Sequence, residues 1–352
     1  MPSTRPLSRR LAPTLVAAVA ATTALALSGC GATAGGSSSD GAKSVSIVGF
    51  SVMKTANAKV IADFKKTSEG KGVSFTQSYG ASGDQARAVV SGLKADEAHL
   101  SLEPDVTKLT DAGKVADDWK TGAAAGPDKG ILTQSVVVMV VRKGNPKGIK
   151  TWDDLVKPGV KIVTPNPGSS GSAKWNILAA YGHILAQGGG ESDANAYLTK
   201  LLGNVAALPG SGKDATTAFE GGTGDVLLSY ENEAIEARQA GADFDYVVPP
   251  QTLLIQNPAV LTEGAGQAAK DFLAFQQGKQ GQTDYAEQGF RPLDDSIKVD
   301  VKGANDPSDP FPAPTKLLTI DDDFGGWSKA NKLYFDDNDG IVTKALAASG
   351  KS

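Results

Sequence analysis

The fold is decided by residues 44–102, which read SVSIVGFSVMKTANAKVIADFKKTSEGKGVSFTQSYGASGDQARAVVSGLKADEAHLSL. Short runs rich in β-branched and aromatic residues alternate there with segments of helical periodicity. This alternation is the pattern of strands and helices in a parallel α/β sheet. The predicted strands are Val45–Phe50, Val73–Ser78 and His99–Leu102, and the predicted helices are Ala56–Lys66 and Asp84–Lys94.

The same alternation continues towards the carboxyl terminus. The segment 303–315 holds four prolines and reads as an extended strap. Further strands are predicted at Val136–Arg142, Lys161–Thr164, Asp225–Tyr230 and Phe244–Val248. Further helices are predicted at Ala173–Ala186, Glu231–Ala240, Ala265–Gln277 and Gln282–Gln288, with a last helix at Trp327–Phe335.

The chain after residue 43 is long enough for two lobes with separate cores. No long linker divides it, so the lobes have to be joined by chain crossings, which we place near Thr133–Ser135 and Val248–Thr252. The predicted first lobe comprises residues 44–133 and 250–352. The predicted second lobe comprises residues 134–249.

Residues 1–30 have the pattern of a bacterial lipoprotein signal peptide. Arg5, Arg9 and Arg10 precede the apolar run Leu11–Leu27, which ends in Leu-Ser-Gly-Cys at Cys30. Pro13 shortens this run below the ~20 apolar residues that a membrane-spanning helix needs. We therefore predict export, lipidation of Cys30, anchoring to the outer face of the cytoplasmic membrane (or a periplasmic location) and a flexible tether at residues 31–43. The export route, Sec or twin-arginine, stays open.

Cysteine content and charge exclude several classes of protein. Cys30 is the only cysteine, so a mature chain lipidated there has no disulfide and no thiolate metal site. The chain carries 35 Lys and Arg against 39 Asp and Glu, and three arginines but no acidic residue precede Cys30, which leaves a mature net charge of −7. An acidic chain of this kind is not expected to bind nucleic acid.

One arrangement occurs three times: a strand, a turn of glycine and serine, and a helix. The first turn of a helix has unpaired N–H groups and a partial positive charge, so it can hold an anion without a formal cation. Glycine and serine are also good helix caps, and a single turn of this kind is explained by capping. Three such turns at the carboxyl ends of strands indicate an oxyanion site. They are Gly80–Gly83, Gly168–Ser172 and Gly210–Gly212.

Other chemistries find no pattern in the sequence. A P-loop requires a glycine where Ala207 stands, and no serine lies in a Gly-x-Ser-x-Gly elbow. His99 and His183 lack neighbours at metal-ligand spacing and are predicted to be packing or surface residues. Residues 336–340 are predicted to form an acidic turn rather than a calcium loop. No metal, cofactor or catalytic residue is expected.

The three turns and their neighbours resemble the sulfate-binding proteins of bacterial sulfate/thiosulfate ABC importers. The resemblance covers residues 44–335 and implies a two-lobed, type II periplasmic binding-protein (Venus-flytrap) fold, in which parallel-rich sheets are flanked by helices. It rests on QSYGASGDQ (77–85), VRKGNP (141–146), WDDLVKPG (152–159), TPNPGSSGSAKWN (164–176), GDVLLSYENE (224–233) and LTIDDDFGGW (318–327).

The resemblance also implies a ligand set for a dehydrated sulfate ion. The chain departs from the family pattern at Tyr230, where members commonly carry tryptophan, at Ser172, which replaces a glycine, and at Met53, which stands where the family has an aspartate. The implied donors are the N–H of Ser82, the hydroxyl of Ser170, the N–H groups of Gly171, Ser172 and Gly212, and the phenol of Tyr230.

The expected function is therefore that of an exported, monomeric solute-binding lipoprotein rather than an enzyme. It captures sulfate or thiosulfate between its lobes and delivers the anion to an ABC permease with a cytoplasmic ATPase. Receptors for molybdate or phosphate are alternatives within this class. A lipid-anchored serine hydrolase using Ser82 or Ser170, and a scaffold without a ligand, are alternatives outside it.

Overall fold

The computed structural model describes residues 43–351. Cys30, the predicted signal peptide 1–30 and the predicted tether up to residue 42 lie outside this range. None of the helices within residues 43–351 has the length and apolarity needed to span a bilayer. The strands are β1 (Ser44–Phe50), β2 (Ser74–Gly80), β3 (Glu97–His99), β4 (Ile131–Arg142), β5 (Ile162–Val163), β6 (Val205–Ala207), β7 (Val226–Tyr230), β8 (Phe244–Val247), β9 (Gln251–Leu261) and β10 (Lys316–Leu318).

The helices alternate with these strands for most of the chain. They are α1 (Met53–Phe64), α2 (Ser82–Val90), α3 (Glu103–Asp111), α4 (Gly171–Ala186), α5 (Glu191–Gly203), α6 (Gly212–Glu220), α7 (Glu231–Gln239), α8 (Gln267–Gln277), α9 (Lys279–Glu287), α10 (Ile320–Phe324), α11 (Trp327–Phe335) and α12 (Ile341–Ala348).

The strands form one sheet in the order β2-β1-β3-β9-β4-β7-β5-β6, with β8 beside β4 and β10 beside β9. β2, β1 and β3 are mutually parallel and form a first strand group. β7, β5 and β6 are mutually parallel and form a second strand group. The prediction of a parallel-rich α/β sheet is confirmed, and the antiparallel pairs all involve β4 or β9.

Strands β4 and β9 join the two groups. Val136 of β4 pairs with Leu254 of β9, and from the next residue onward β4 pairs with β7. β9 in turn pairs with β3 at Ala259. The apolar run of β4 is buried on both faces, as expected for a strand in the middle of a covered sheet. The pair of strands β4 and β9 therefore connects the first strand group to the second.

Helix α4 lies at the centre of the molecule. Its sequence GSAKWNILAAYGHILA is mostly apolar, and buried residues occur around its whole circumference. A helix of this composition is buried rather than amphipathic. It packs on α5 and β9.

The predicted strands and helices are present with shifted ends, and several elements were not predicted. The prediction that Trp327–Phe335 is the last helix is wrong, because α12 follows it. The predicted strand at His99–Leu102 begins where β3 already ends, because Leu102 caps α3 and Pro104 stands in its first turn. The two-lobe division and its crossings remain predictions. The elements missed by sequence reasoning are α3, α5, α10, α12, β9 and β10.

Candidate functional site

Each of the three glycine and serine turns joins the carboxyl end of a strand to the start of a helix. The first turn lies between β2 and α2, the second between β5 and α4, and the third between β6 and α6. The prediction of three strand–turn–helix units is confirmed. Their helices begin at Ser82, Gly171 and Gly212, which places residues of each turn in the first helical turn itself.

The three turns are in contact with one another. The N–H of Gly83 donates to the carbonyl oxygen of Ser169 over 3.1 Å, which joins the first turn to the second. The hydroxyl of Ser169 donates to the carbonyl oxygen of Gly210 over 2.7 Å, which joins the second turn to the third. The first and third turns also face each other across a surface cavity of about 390 Å³ that Ser51 and Lys54 help to line. The three helix starts therefore converge.

Ser82 uses its side chain for positioning. Its hydroxyl donates to Asp105 Oδ2 over 2.6 Å and accepts the N–H of Ser101 over 2.9 Å. Lys108 Nζ lies 2.7 Å from Asp105 Oδ1 and balances that buried carboxylate. With its hydroxyl occupied, Ser82 has its backbone N–H to offer, as the first residue of a helix.

The start of α4 is packed against the turn that follows β3. Ser170 is the N-cap residue of α4, is buried, and does not use its hydroxyl to cap the helix. A Cβ atom on Gly171 would lie 2.6 Å from Ser101 Oγ and 2.7 Å from Leu102 Cδ2. Only glycine fits this approach, so the free N–H groups of α4 are brought close to Ser101.

Ser172 and Gly212 lie together beside a buried carboxyl group. A Cβ atom on Gly212 would lie 3.4 Å from Ser172 Oγ and 3.1 Å from Glu233 Oε2. Glu233 accepts hydrogen bonds from Thr216 (2.7 Å) and Ser229 (2.9 Å), and burial raises the pKa of its carboxyl group. The first turns of α4 and α6 thus meet at one point.

Tyr230 ends β7 and precedes the first residue of α7. Its side chain is fully buried, and its phenol oxygen lies 2.8 Å from Ser101 Oγ. The ring lies 6.3 Å from that of Phe50, measured between centroids. Burial raises the pKa of the phenol, so it stays protonated and able to donate a hydrogen bond at neutral pH.

Met53 takes no polar part in the site. Its side chain is fully buried in the hydrophobic core, and its backbone begins α1. The turn between β1 and α1 is a fourth strand–turn–helix unit, and it brings Ser51 to the cavity described above. This turn reads Ser51-Val52 and contains no glycine, so it does not have the glycine and serine pattern of the other three.

Sequence reasoning also missed Ser101, Asp105 and Glu233, the polar residues that position the turns. Ser101 follows the carboxyl end of β3, and this position at a strand end was the one signal that pointed to it. Asp105 and Glu233 lie inside helices, where nothing in their local sequence distinguishes them from surface acids.

The two histidines are packing residues. His99 Nε2 lies 3.2 Å from Thr133 Oγ1, and burial lowers the pKa of its imidazole to about 3. His183 contacts Gln251 and Asp153. Neither pairs with Ser82, whose hydroxyl is bound to Asp105. Within residues 43–351, no three His, Cys, Asp or Glu side chains are grouped so as to hold a metal ion.

Comparisons with known proteins place this geometry in context. The family model of the bacterial extracellular solute-binding proteins matches residues 45–291. A sulfate-binding protein from Synechococcus elongatus is 37% identical over 347 residues, covering 95% of this chain and 96% of that protein. A thiosulfate-binding protein from Escherichia coli is 34% identical over 294 residues, covering 80% and 84%. The solved structure of the sulfate-binding protein SubI from Mycobacterium tuberculosis H37Rv has a TM-score of 0.76 and 43% identity, covering 84% of this chain and 100% of that chain.

Proposed function

Because this chain belongs to the sulfate-binding proteins among the bacterial extracellular solute-binding proteins, we propose that it captures the sulfate dianion and delivers it to an ABC importer. It is a binding protein and not an enzyme, and it acts outside the cytoplasm. The observation that carries the proposal is the convergence of the starts of α2, α4 and α6, joined by the Gly83–Ser169 and Ser169–Gly210 hydrogen bonds.

The donors proposed for sulfate are uncharged groups. They are the N–H groups of Ser82, Gly171, Ser172 and Gly212 and the hydroxyls of Ser170 and Tyr230. Each hydrogen bond to a charged group contributes about 1.5 to 3 kcal/mol net, so six supply on the order of 10 kcal/mol. A Kd of 1 μM corresponds to about −8 kcal/mol, which leaves room for the costs of ordering and closure.

The carboxyl groups nearest to these donors favour a fully ionised anion. Asp105 is occupied by Ser82 and Lys108, and both oxygens of Glu233 accept hydrogen bonds from hydroxyl groups. Hydrogen phosphate carries a proton that needs an acceptor, whereas sulfate carries none. Thiosulfate has the same charge as sulfate and is the closest competitor in this proposal.

Isothermal titration calorimetry of the purified protein with sulfate, thiosulfate, molybdate and phosphate tests the ligand. We expect saturable sulfate binding with a Kd in the micromolar range or tighter, and weaker binding of phosphate and molybdate. Binding of phosphate or molybdate without binding of sulfate contradicts the assignment of the ligand.

Delivery and anchoring complete the proposal. We place the protein as a monomer, anchored through diacylglycerol on Cys30, opposite ABC permease subunits with a cytoplasmic ATPase. The support is the Leu-Ser-Gly-Cys motif after an apolar run. Mass spectrometry of the membrane fraction is expected to find a lipidated amino-terminal Cys30. A Cys30→Ala chain that stays in that fraction to the same extent contradicts the anchor.

A further inference from the structure

The side chain of Ser172 has no structural role that explains it. It is the second residue of α4, and its side chain is buried with 4% of its surface exposed. Its hydroxyl oxygen has no hydrogen-bond partner among residues 43–351. Most buried polar atoms in folded proteins have a partner, and an orphaned one calls for a ligand or water to complete it.

Helix capping does not account for this hydroxyl. The N-cap position of α4 is held by Ser170, and Ser172 lies inside the first helical turn. Anion binding through its backbone N–H requires no side chain at all, since a glycine supplies the same N–H group. The hydroxyl therefore adds a polar atom to the interior for which neither helix formation nor the backbone contact provides a reason.

The neighbours of the hydroxyl already have partners of their own. Tyr230 Oη lies 2.8 Å from Ser101 Oγ, and the carboxyl oxygens of Glu233 accept from Thr216 and Ser229. Ser172 Oγ lies 3.4 Å from the point where a Cβ atom of Gly212 would stand, at the first residue of α6. The hydroxyl of Ser172, itself in the first turn of α4, thus lies next to the first residue of α6, where two helix starts meet.

We propose that the hydroxyl group of Ser172 is a direct ligand of the bound tetrahedral oxyanion, in addition to the backbone N–H of the same residue. This inference rests on the proposed function and adds a ligand to it. The hydroxyl donates its hydrogen to a charged oxygen of the anion, which makes a charge-assisted hydrogen bond. Within residues 43–351 no other group meets the hydrogen-bond criteria for this donor, although the phenol of Tyr230 is close by.

Ser172→Ala distinguishes this role from a structural one, because the two roles predict opposite effects on the ligand-free protein. A ligand contact predicts a sulfate Kd raised roughly 10- to 100-fold, while the melting temperature without anion stays the same or rises, since an unpaired buried hydroxyl is removed. Ser172→Gly is expected to raise the Kd to a similar extent. Ser192→Ala, at an exposed serine of α5, is the matched control and should change neither quantity.

The outcomes separate this inference from the proposed function. Wild-type binding of sulfate with a Kd that Ser172→Ala leaves within twofold overturns the inference and leaves the proposed function standing. A loss of affinity accompanied by a fall of several degrees in the ligand-free melting temperature also overturns it, because that pattern is structural. A wild-type protein that binds none of sulfate, thiosulfate, molybdate and phosphate overturns both.

Discussion

Ser101 shows how a single residue can hold three helix starts together. Its N–H donates to Ser82 Oγ at the start of α2, and its hydroxyl contacts Tyr230 Oη ahead of α7. Its carbonyl oxygen accepts from Trp175 Nε1 in α4 (2.9 Å) and from Asn257 Nδ2 in β9 (2.8 Å). Every polar atom of this residue is used to join separate parts of the chain.

Glu97 on β3 is a second residue whose surroundings decide its chemistry. Its carboxyl group is fully buried, accepts a hydrogen bond from Gln276 Nε2 over 3.1 Å, and has no partner for Oε2 within the described residues. Burial raises the pKa of this carboxyl group to about 8. Between the ordinary pKa of 4.5 and this value, the folded protein holds a proton that the unfolded chain releases.

This difference predicts a pH dependence of stability. The contribution of Glu97 is most favourable below pH 4.5, declines as the pH rises towards 8, and is constant above that. Glu97→Gln keeps the shape of the side chain but cannot ionise. The free energy of unfolding of this variant should therefore exceed that of the wild type at pH 8.5 by on the order of a few kcal/mol. At pH 5 the two should be similar. Urea unfolding without anion at both pH values measures this.

Glu263→Gln is the control for this experiment, since Glu263 is exposed near the end of β9 and its carboxyl group is not buried. Its unfolding free energy should follow that of the wild type at both pH values. If the difference in unfolding free energy between Glu97→Gln and the wild type is the same at pH 5 and at pH 8.5, Glu97 does not titrate in this way.

At the scale of the helix, glycines at the same kind of turn differ in how closely other atoms approach them. At Gly171 a Cβ atom would collide with Ser101 and Leu102, so this glycine sets how closely α4 approaches the turn after β3. At Gly210 the nearest atom to such a Cβ is Asp214 Oδ2 at 3.7 Å, an ordinary contact. The first glycine is needed for the convergence of the helix starts, and the second is not.

Gly171→Ala is therefore expected to push the start of α4 away from Ser101. Overpacking of this kind costs about 1 to 3 kcal/mol, and the displaced N–H groups should weaken sulfate binding at least ~10-fold. Calorimetry and thermal unfolding measure the two effects. Gly210→Ala is the matched control with small effects on both, and equal Kd values for the two variants would contradict the role assigned to Gly171.

At the scale of the whole molecule, contacts between the two strand groups accompany the site. Thr55 lies in α1, which follows β1 of the first group, and Glu236 lies in α7, which follows β7 of the second. The hydroxyl of Thr55 donates to Glu236 Oε1 over 2.8 Å. The Gly83–Ser169 hydrogen bond joins the same two parts of the chain. If the groups separate to admit the anion, these bonds exist only in the closed arrangement and bias the molecule towards it.

Thr55→Val removes one of these bonds and keeps the shape of the side chain. We expect the sulfate Kd to rise about three- to tenfold, because a smaller fraction of molecules is closed, although Thr55 is not among the proposed ligands. Calorimetry gives the Kd, and small-angle scattering without anion should show a more open average shape. Thr199→Val, at an exposed threonine of α5, should leave both unchanged. A Kd unchanged by Thr55→Val would show that the Thr55–Glu236 hydrogen bond does not stabilise the closed arrangement.

The sequence by itself determined the α/β class and the three strand–turn–helix units with glycine and serine turns. Both follow from local patterns: the alternation of β-rich and helical segments, and glycine and serine placed between a strand and a helix. The strand β9 escaped the same reasoning, because Gln251–Leu261 mixes Gln, Thr and Asn with Pro258. Its polar side chains are satisfied by distant partners, as when Thr252 donates to the carbonyl oxygen of Val137 over 2.6 Å.

Only the tertiary structure decided which groups meet. The contacts of Ser101 with Tyr230 and Asn257 span 129 and 156 positions of the chain. The position of the Ser172 hydroxyl beside the start of α6 likewise depends on how the two helices pack. Local periodicity reports on neighbours within a few residues, whereas these contacts depend on the order of the strands in the sheet. The kind of residue in the three turns could thus be read from the sequence, but the way the turns converge required the fold.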